Sequence, residues 1–186
     1  MANFSGSESG FFIPDHSAAG ITSTINVPVN ETVTDVTVTL NGFSHTWIGD
    51  LTVQLTSPGA GPMDIMWRTG DEEDDCCSDS SDVFGNYTFA DGGGDWWAAA
   101  SAAGSSGVIP NGTYGPTDSM GVATSFVATF AGTNTLGGWT LFINDQVLGD
   151  TGSLGSWSIN IMSAPIPEPS TFGLAVFGFA ACRRRR

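Results

Sequence analysis

The chain contains no lysine, and four of its five arginines are its last four residues, Arg183 to Arg186. Ahead of the tail that begins at Ile166, Arg68 stands alone against 18 acids, a net charge of −17 with the two histidines neutral. So negative a body repels phosphate backbones, which argues against nucleic acid as a partner. It also lacks the basic residues that would hold it to an anionic membrane surface. Bound divalent cations, by contrast, would relieve its self-repulsion.

Cysteine is nearly as scarce. Cys76 and Cys77 are adjacent and Cys182 lies in an apolar tail, so no Cys-x-x-Cys or Cys/His metal spacing exists. A bridge between neighbouring cysteines needs a strained ring, and free thiols are the expectation. Met1 to Ala19 has neither the basic start nor the apolar run of an export leader, so no signal peptide is visible. No period of the repeat-protein kind appears. Good helix formers are sparse outside short stretches while glycine numbers 25, which disfavours long helices.

What is present is β-forming. At 186 residues, with six Trp and 12 Phe, the chain can build one domain with a real core. From Ile21 onward, short segments alternate with period two: "ITSTINV"; "VTDVTVTL" with Val36, Val38 and Leu40 in phase; "LTVQL" with Leu51, Val53 and Leu55; and "MDIMW". "NYTF", "FVATF", "WTLFI" (Trp139, Leu141, Ile143) and "WSINI" (Trp157, Ile159, Ile161) follow. Alternation puts every second side chain on one face, so these are expected to be about eight half-buried strands. Asn41-Gly42 and Ser57-Pro58-Gly59 read as turns. The fold class is all-β, a sandwich or jelly roll. The expected organisation is an extension over 1–20, the β-domain over 21–163 and a tail over 164–186. Two connections are long, an acidic one from Thr69 to Asp82 and a Gly/Ala/Ser-rich one from Asp91 to Thr117, and long loops are usually functional or mobile.

Four features carry candidate chemistry. His45 and Asp50 have the residue types of a catalytic pair, but the expectation is structural, with His45 packed beside Trp47 and Asp50 bonded to a neighbouring loop. "DEEDDCCSDSSD" holds seven carboxylates in 12 residues. Asp71, Glu73, Asp75, Asp79 and Asp82 fall at EF-hand positions, yet Cys76 replaces the glycine that loop requires and Asp82 replaces its bidentate glutamate. A hard-cation site of another geometry and a solvated acidic loop both stay open. "NDQVLGDTGSLGSW", with Asp145 and Asp150, suits either a calcium loop or a long hairpin. Trp96-Trp97 reads as a core lid or as an exposed anchor for carbohydrate or protein.

"LNGFSHTWIGDLTVQLTSPGAG" resembles the P domain, or Homo B domain, that follows the subtilisin-like protease domain of proprotein convertases. The matching residues are His45, Gly49-Asp50-Leu51, Leu55 and Ser57-Pro58-Gly59. Tyr87 to Gly93, Ile109 to Pro116 and Gly137 to Ile161 agree in order. The resemblance covers about Ile21 to Met162. It implies a jelly-roll sandwich of about eight strands, no catalytic residues and bound Ca²⁺. The calcium carries over to Asp145 and Asp150, and further to Asp50, Asp71, Asp75 and Asp82. No His-Gly-Thr or Gly-Thr-Ser protease signature and no Gly-x-Ser-x-Gly elbow is present.

"PIPEPSTFGLAVFGFAACRRRR" resembles a PEP-CTERM sorting signal, through Pro167-Glu168-Pro169, an apolar stretch and Arg183, Arg184, Arg185 and Arg186. The resemblance implies an exosortase partner and a place in the envelope or outside a Gram-negative bacterium. The 12 apolar-rich residues Thr171 to Cys182 would reach about 18 Å as a helix, short of a ~30 Å hydrocarbon core. Membrane contact through the tail is therefore expected to be transient. The combined expectation is a non-catalytic, calcium-stabilised module for interaction or stabilisation at the envelope. Two alternatives stand beside it: a detached regulatory P domain of a subtilisin-like serine endopeptidase, and a jelly roll that binds extracellular polysaccharide through Trp96 and Trp97.

Overall fold

The structure, a computed structural model, describes residues 2–6, 9–70 and 78–166. Among these residues, ten strands form two sheets. They are β1 (Ala2–Ser5), β2 (Phe11–Ile13), β3 (Ile21–Val27), β4 (Glu31–His45), β5 (Leu51–Thr56), β6 (Met63–Trp67), β7 (Val83–Gly94), β8 (Gly112–Tyr114), β9 (Gly137–Asp145) and β10 (Gly152–Pro165). The larger sheet runs β1-β10-β4-β7-β8, with β2 also paired to β10; the smaller runs β3-β9-β5-β6.

The path is that of a jelly roll. Read forward, β1, β3, β4 and β5 pair antiparallel with β10, β9, β7 and β6 read backward. The chain is in effect one long hairpin wound around a barrel axis, the double-sheet solution that all-β chains reach by Greek-key connections. Seven of the eight expected strands are present, and the three others, β1, β2 and β8, have only three or four residues each, too short for a period-two signature. The segment before Ile21 supplies β1 and β2, which lie along the same edge of β10.

The in-phase residues read from the sequence form the core: Val36, Val38 and Leu40 on β4, Leu51, Val53 and Leu55 on β5, Trp139, Leu141 and Ile143 on β9, and Trp157, Ile159 and Ile161 on β10 are all buried. Trp157 Nε1 donates to Ser23 Oγ at 2.9 Å and Trp139 Nε1 to the Thr135 carbonyl at 3.0 Å, so neither large ring leaves its polar atom unpaired inside.

Three local expectations need correction. Asn41-Gly42 is not a turn but a bulge within β4, where the register shifts between Leu40 and Phe43 so that both stay buried. "FVATF" is not a strand but a short helix, α2 (Phe126–Phe130). Phe126 and Phe130, four apart, stack on one buried side at 6.4 Å, while the Asp91 carboxylate accepts from the Phe126 and Val127 amides. The Gly/Ala/Ser-rich connection contains a second helix, α1 (Trp96–Ala103), started by the Asp95 carboxylate accepting from the Ala98 amide at 2.9 Å and stopped at Gly104, φ +70°. Among the described residues no helix is long and apolar enough to cross a membrane.

Candidate functional site

Four strand ends meet at one end of the sandwich. β4 stops at His45, and a single 3₁₀ turn over Ile48–Asp50 leads into β5 at Leu51. β9 stops at Asp145, and the loop that follows returns as β10 at Gly152. Pairing sets Leu51 opposite Asp145 and Gly152 opposite His45. His45, Asp50, Asp145 and Asp150 are therefore gathered here by topology.

His45 pairs with Asp145, not with Asp50. Its Nε2 donates to Asp145 Oδ2 at 3.1 Å, and both side chains are fully buried. Nδ1 lies 2.8 Å from the Trp47 carbonyl and 3.1 Å from the Trp47 amide. A neutral ring with its proton on Nε2 accepts from that amide, and an imidazolium donates to that carbonyl, so the Trp47 backbone serves either state. Asp145 Oδ1 accepts from the Val147 amide at 3.1 Å. Every polar atom of this histidine–carboxylate pair is thus engaged, and neither group is exposed to act on an outside substrate.

Gly152 makes the pairing possible: a Cβ there would sit 2.5 Å from His45 Cδ2 and from the Ser44 carbonyl. Gly49 is needed for the same kind of reason, because a Cβ would lie 2.2 Å from Ser78 Oγ. Asp150 is bonded to Thr46, whose hydroxyl donates to Oδ1 at 2.7 Å. The N-terminal segment closes the rim, with the Asp15 carboxylate accepting from the Gly149 amide and the Ser17 amide donating to the Asp145 carbonyl at 2.9 Å.

Asp50 is the acid whose ionisation this site disfavours. It is buried, and its carboxyl is raised from 3.8 to about 6, first by desolvation and then by the charge of Asp145; His45 and Arg68 pull in the other direction. The Asp50 carbonyl accepts from the Gln146 amide at 2.9 Å, which ties the 3₁₀ turn to the β9–β10 loop.

Two of the residues expected to hold calcium are bonded within the protein. Both Asp145 oxygens and one of Asp150 already have partners within the protein, and among the described residues no three carboxylate, imidazole or thiol groups converge as a metal centre. Asp82, at the entry to β7, is half-buried, and its main chain bonds to Gly107 and Ile109. Asp71 and Asp75 lie outside the described residues, as do Cys76, Cys77, Cys182, Pro167, Glu168, Pro169 and Arg183 to Arg186.

Trp96 is no surface anchor. It is fully buried, with ring centroids 5.8 Å from Tyr87, 5.3 Å from Phe89 and 5.1 Å from Tyr114, and its Nε1 donates to Thr69 Oγ1 at 2.8 Å. Trp97 is half-buried and covers Gly121, where a Cβ would lie 2.7 Å from the indole. An apolar ring next to Asp95, the helix-starting residue, belongs on the inner side of α1, and the core takes it.

The PEP-CTERM protein-sorting motif matches residues 165–186. The chain thus ends in a sorting motif that marks an exported, exosortase-processed protein of the Gram-negative envelope. No curated protein gives a significant sequence match. Among solved structures, the Aeromonas sobria serine protease in complex with its chaperone aligns with 89% of this chain and 26% of that chain, at 15% identity and a TM-score of 0.48. The A. sobria serine protease alone aligns with 88% of this chain and 26% of its own, at 14% identity and a TM-score of 0.46. This chain spans about a quarter of the length of those structures.

Proposed function

We propose that this chain is a non-catalytic P-domain-like module, sorted to the bacterial envelope by its tail, where it serves interaction or stabilisation. One observation carries the reading: the residues that resemble the P-domain signature have structural roles here. Leu51 and Leu55 are core residues, and Ser57 Oγ accepts from the Ala60 amide and donates to its carbonyl to close a turn. The phenol of Tyr87 donates to the Ile109 carbonyl, and His45 is sealed against Asp145. A motif whose members hold strand ends and turns together supports a scaffold rather than a reaction.

The sorting half of the proposal is tested in the native bacterium. Peptide mapping of the envelope fraction should recover the sandwich without Arg183 to Arg186, and deletion of the exosortase should restore them. Finding the four arginines in the mature envelope protein of the wild type would refute it.

Calcium belongs to this reading as a proposal carried by the sequence, from the density of carboxylates between Asp71 and Asp82 and from the P-domain resemblance. The alternative of a detached regulatory P domain rests on the same motifs. It requires that this chain raise the melting temperature of a subtilisin-like catalytic chain from the same bacterium.

A further inference from the structure

Apart from Asp35, which lies opposite Met162 and accepts from the Val36 amide, the outer face of the larger sheet is made of uncharged side chains on a protein that is otherwise strongly acidic. Residues opposite one another in paired strands share a face, so the registers can be read across as rows. One row is a line of hydroxyls over five strands: Ser5, Ser158, Thr39, Thr88 and Thr113. None of the five is buried, and Thr39 and Thr88 bond to each other at 3.0 Å. The row beside it carries Asn3, Asn160 and Thr37.

A third row ends in aromatic rings. Phe12, Ser153, Ser44 and Phe84 are successive partners across β2, β10, β4 and β7. Phe12 is 63% exposed and Phe84 is 73% exposed, although each has core available on the opposite side of its strand. Three strand spacings separate them, on the order of 14 Å. At the other margin the hydroxyl row opens into a groove of about 410 Å³ between β1 and β3, lined by Asn3, Ser5, Thr24 and Asn26 with no charged residue.

We propose that this face binds a neutral polysaccharide. A polyhydroxylated polymer matches it group for group: hydroxyl and amide side chains exchange hydrogen bonds with sugar hydroxyls, and two separated phenyl faces meet the apolar faces of sugar rings. Charge decides against the other occupants. An anionic polymer or a second copy of the chain would bring like charge against a body with 18 acids, and a cationic partner finds a single carboxylate, Asp35, beside these rows. The proposal rests on the reading of the chain as an envelope interaction module. It is assayed on the purified protein, so its outcome is independent of tail processing.

Affinity electrophoresis tests it, with native gels containing hydroxyethyl cellulose, dextran or a β-1,3-glucan, and alginate as the anionic comparison. Retardation by at least one neutral glucan, unchanged up to high salt, and none by alginate is the expected result. Phe12→Ala with Phe84→Ala should weaken retention by about tenfold, with an unaltered melting temperature because both rings are exposed. Thr113→Asp, which puts one carboxylate at an exposed end of the hydroxyl row, should weaken it as well. The proposal is overturned if no neutral glucan retards the protein, if alginate retards it equally, or if all three substitutions leave retention unchanged. Self-association in sedimentation without glucan retention also overturns it, because the face would then be an interface between copies.

Discussion

His45 and Asp145 stand 100 residues apart in sequence and meet at 3.1 Å with no solvent exposure, joining the end of β4 to the end of β9 and so one sheet to the other. A buried hydrogen-bonded histidine–carboxylate pair adds little over a well-packed apolar pair, but removing one partner strands the other without compensation. Asp145→Ala and His45→Ala should therefore each cost about 3–5 kcal/mol in urea unfolding. The double variant should cost clearly less than the sum of the two. Single losses below about 1 kcal/mol would show that the pair is not a structural lock.

Gly152→Ala probes the same junction without replacing either partner. The added methyl would meet the imidazole and the Ser44 carbonyl at 2.5 Å, so one strand end must move. The expected result is a loss of about 1–3 kcal/mol, larger than for Gly149→Ala, where a Cβ meets nothing within 4 Å. Gly149 has φ +128°, so that comparison retains a backbone strain of its own.

Asp50 makes stability depend on pH. Its folded-state value, about 6, lies above the ordinary 3.8, so the folded protein holds this proton more tightly than the unfolded chain. The resulting stabilisation is complete below pH ~4 and is lost as pH rises through ~6. At pH 7 the ionised group costs on the order of 2–3 kcal/mol. In EDTA, Asp50→Asn should be more stable than wild type at pH 7, and the gap should close by pH 4. An equal gap at both pH values would mean that the carboxyl does not titrate in this way.

Much of this architecture could be read from period-two alternation, because core side chains on β4, β5, β9 and β10 recur at every second residue. "FVATF" failed for a reason that alternation cannot express. In five residues a strand pattern and an i, i+4 helix pair look alike, and the deciding group is the distant Asp91. The Ala-rich helix was hidden by the glycines and serines around it. At the site, the residue types were visible but their partners were not: His45 lies nearer Asp50 in sequence, whereas strand pairing delivers it to Asp145.

Calcium is checked by a pair of melts on the full chain. Millimolar Ca²⁺ should raise the melting temperature over EDTA, since a ligand at 100 times its dissociation constant adds about 2.7 kcal/mol. Identical melts would remove calcium from the account of this protein.

Trp96→Ala separates burial from recognition. The indole closes an aromatic cluster under α1, so the expected cost is about 3–5 kcal/mol. Trp96→Phe, which keeps a ring but leaves Thr69 Oγ1 without its donor, should cost less and leave glucan retention unchanged.

β10 has one further consequence. Gly152 packs against His45 at one end of it, and Pro165, paired with Glu31, lies at the other, where the chain continues toward the PEP motif. Fourteen extended residues span roughly 45 Å. A molecule tethered to a surface through its C-terminus would hold the histidine end farthest from the attachment point, and a pull on the tether would run along this strand, loading its cross-strand hydrogen bonds in parallel rather than one after another.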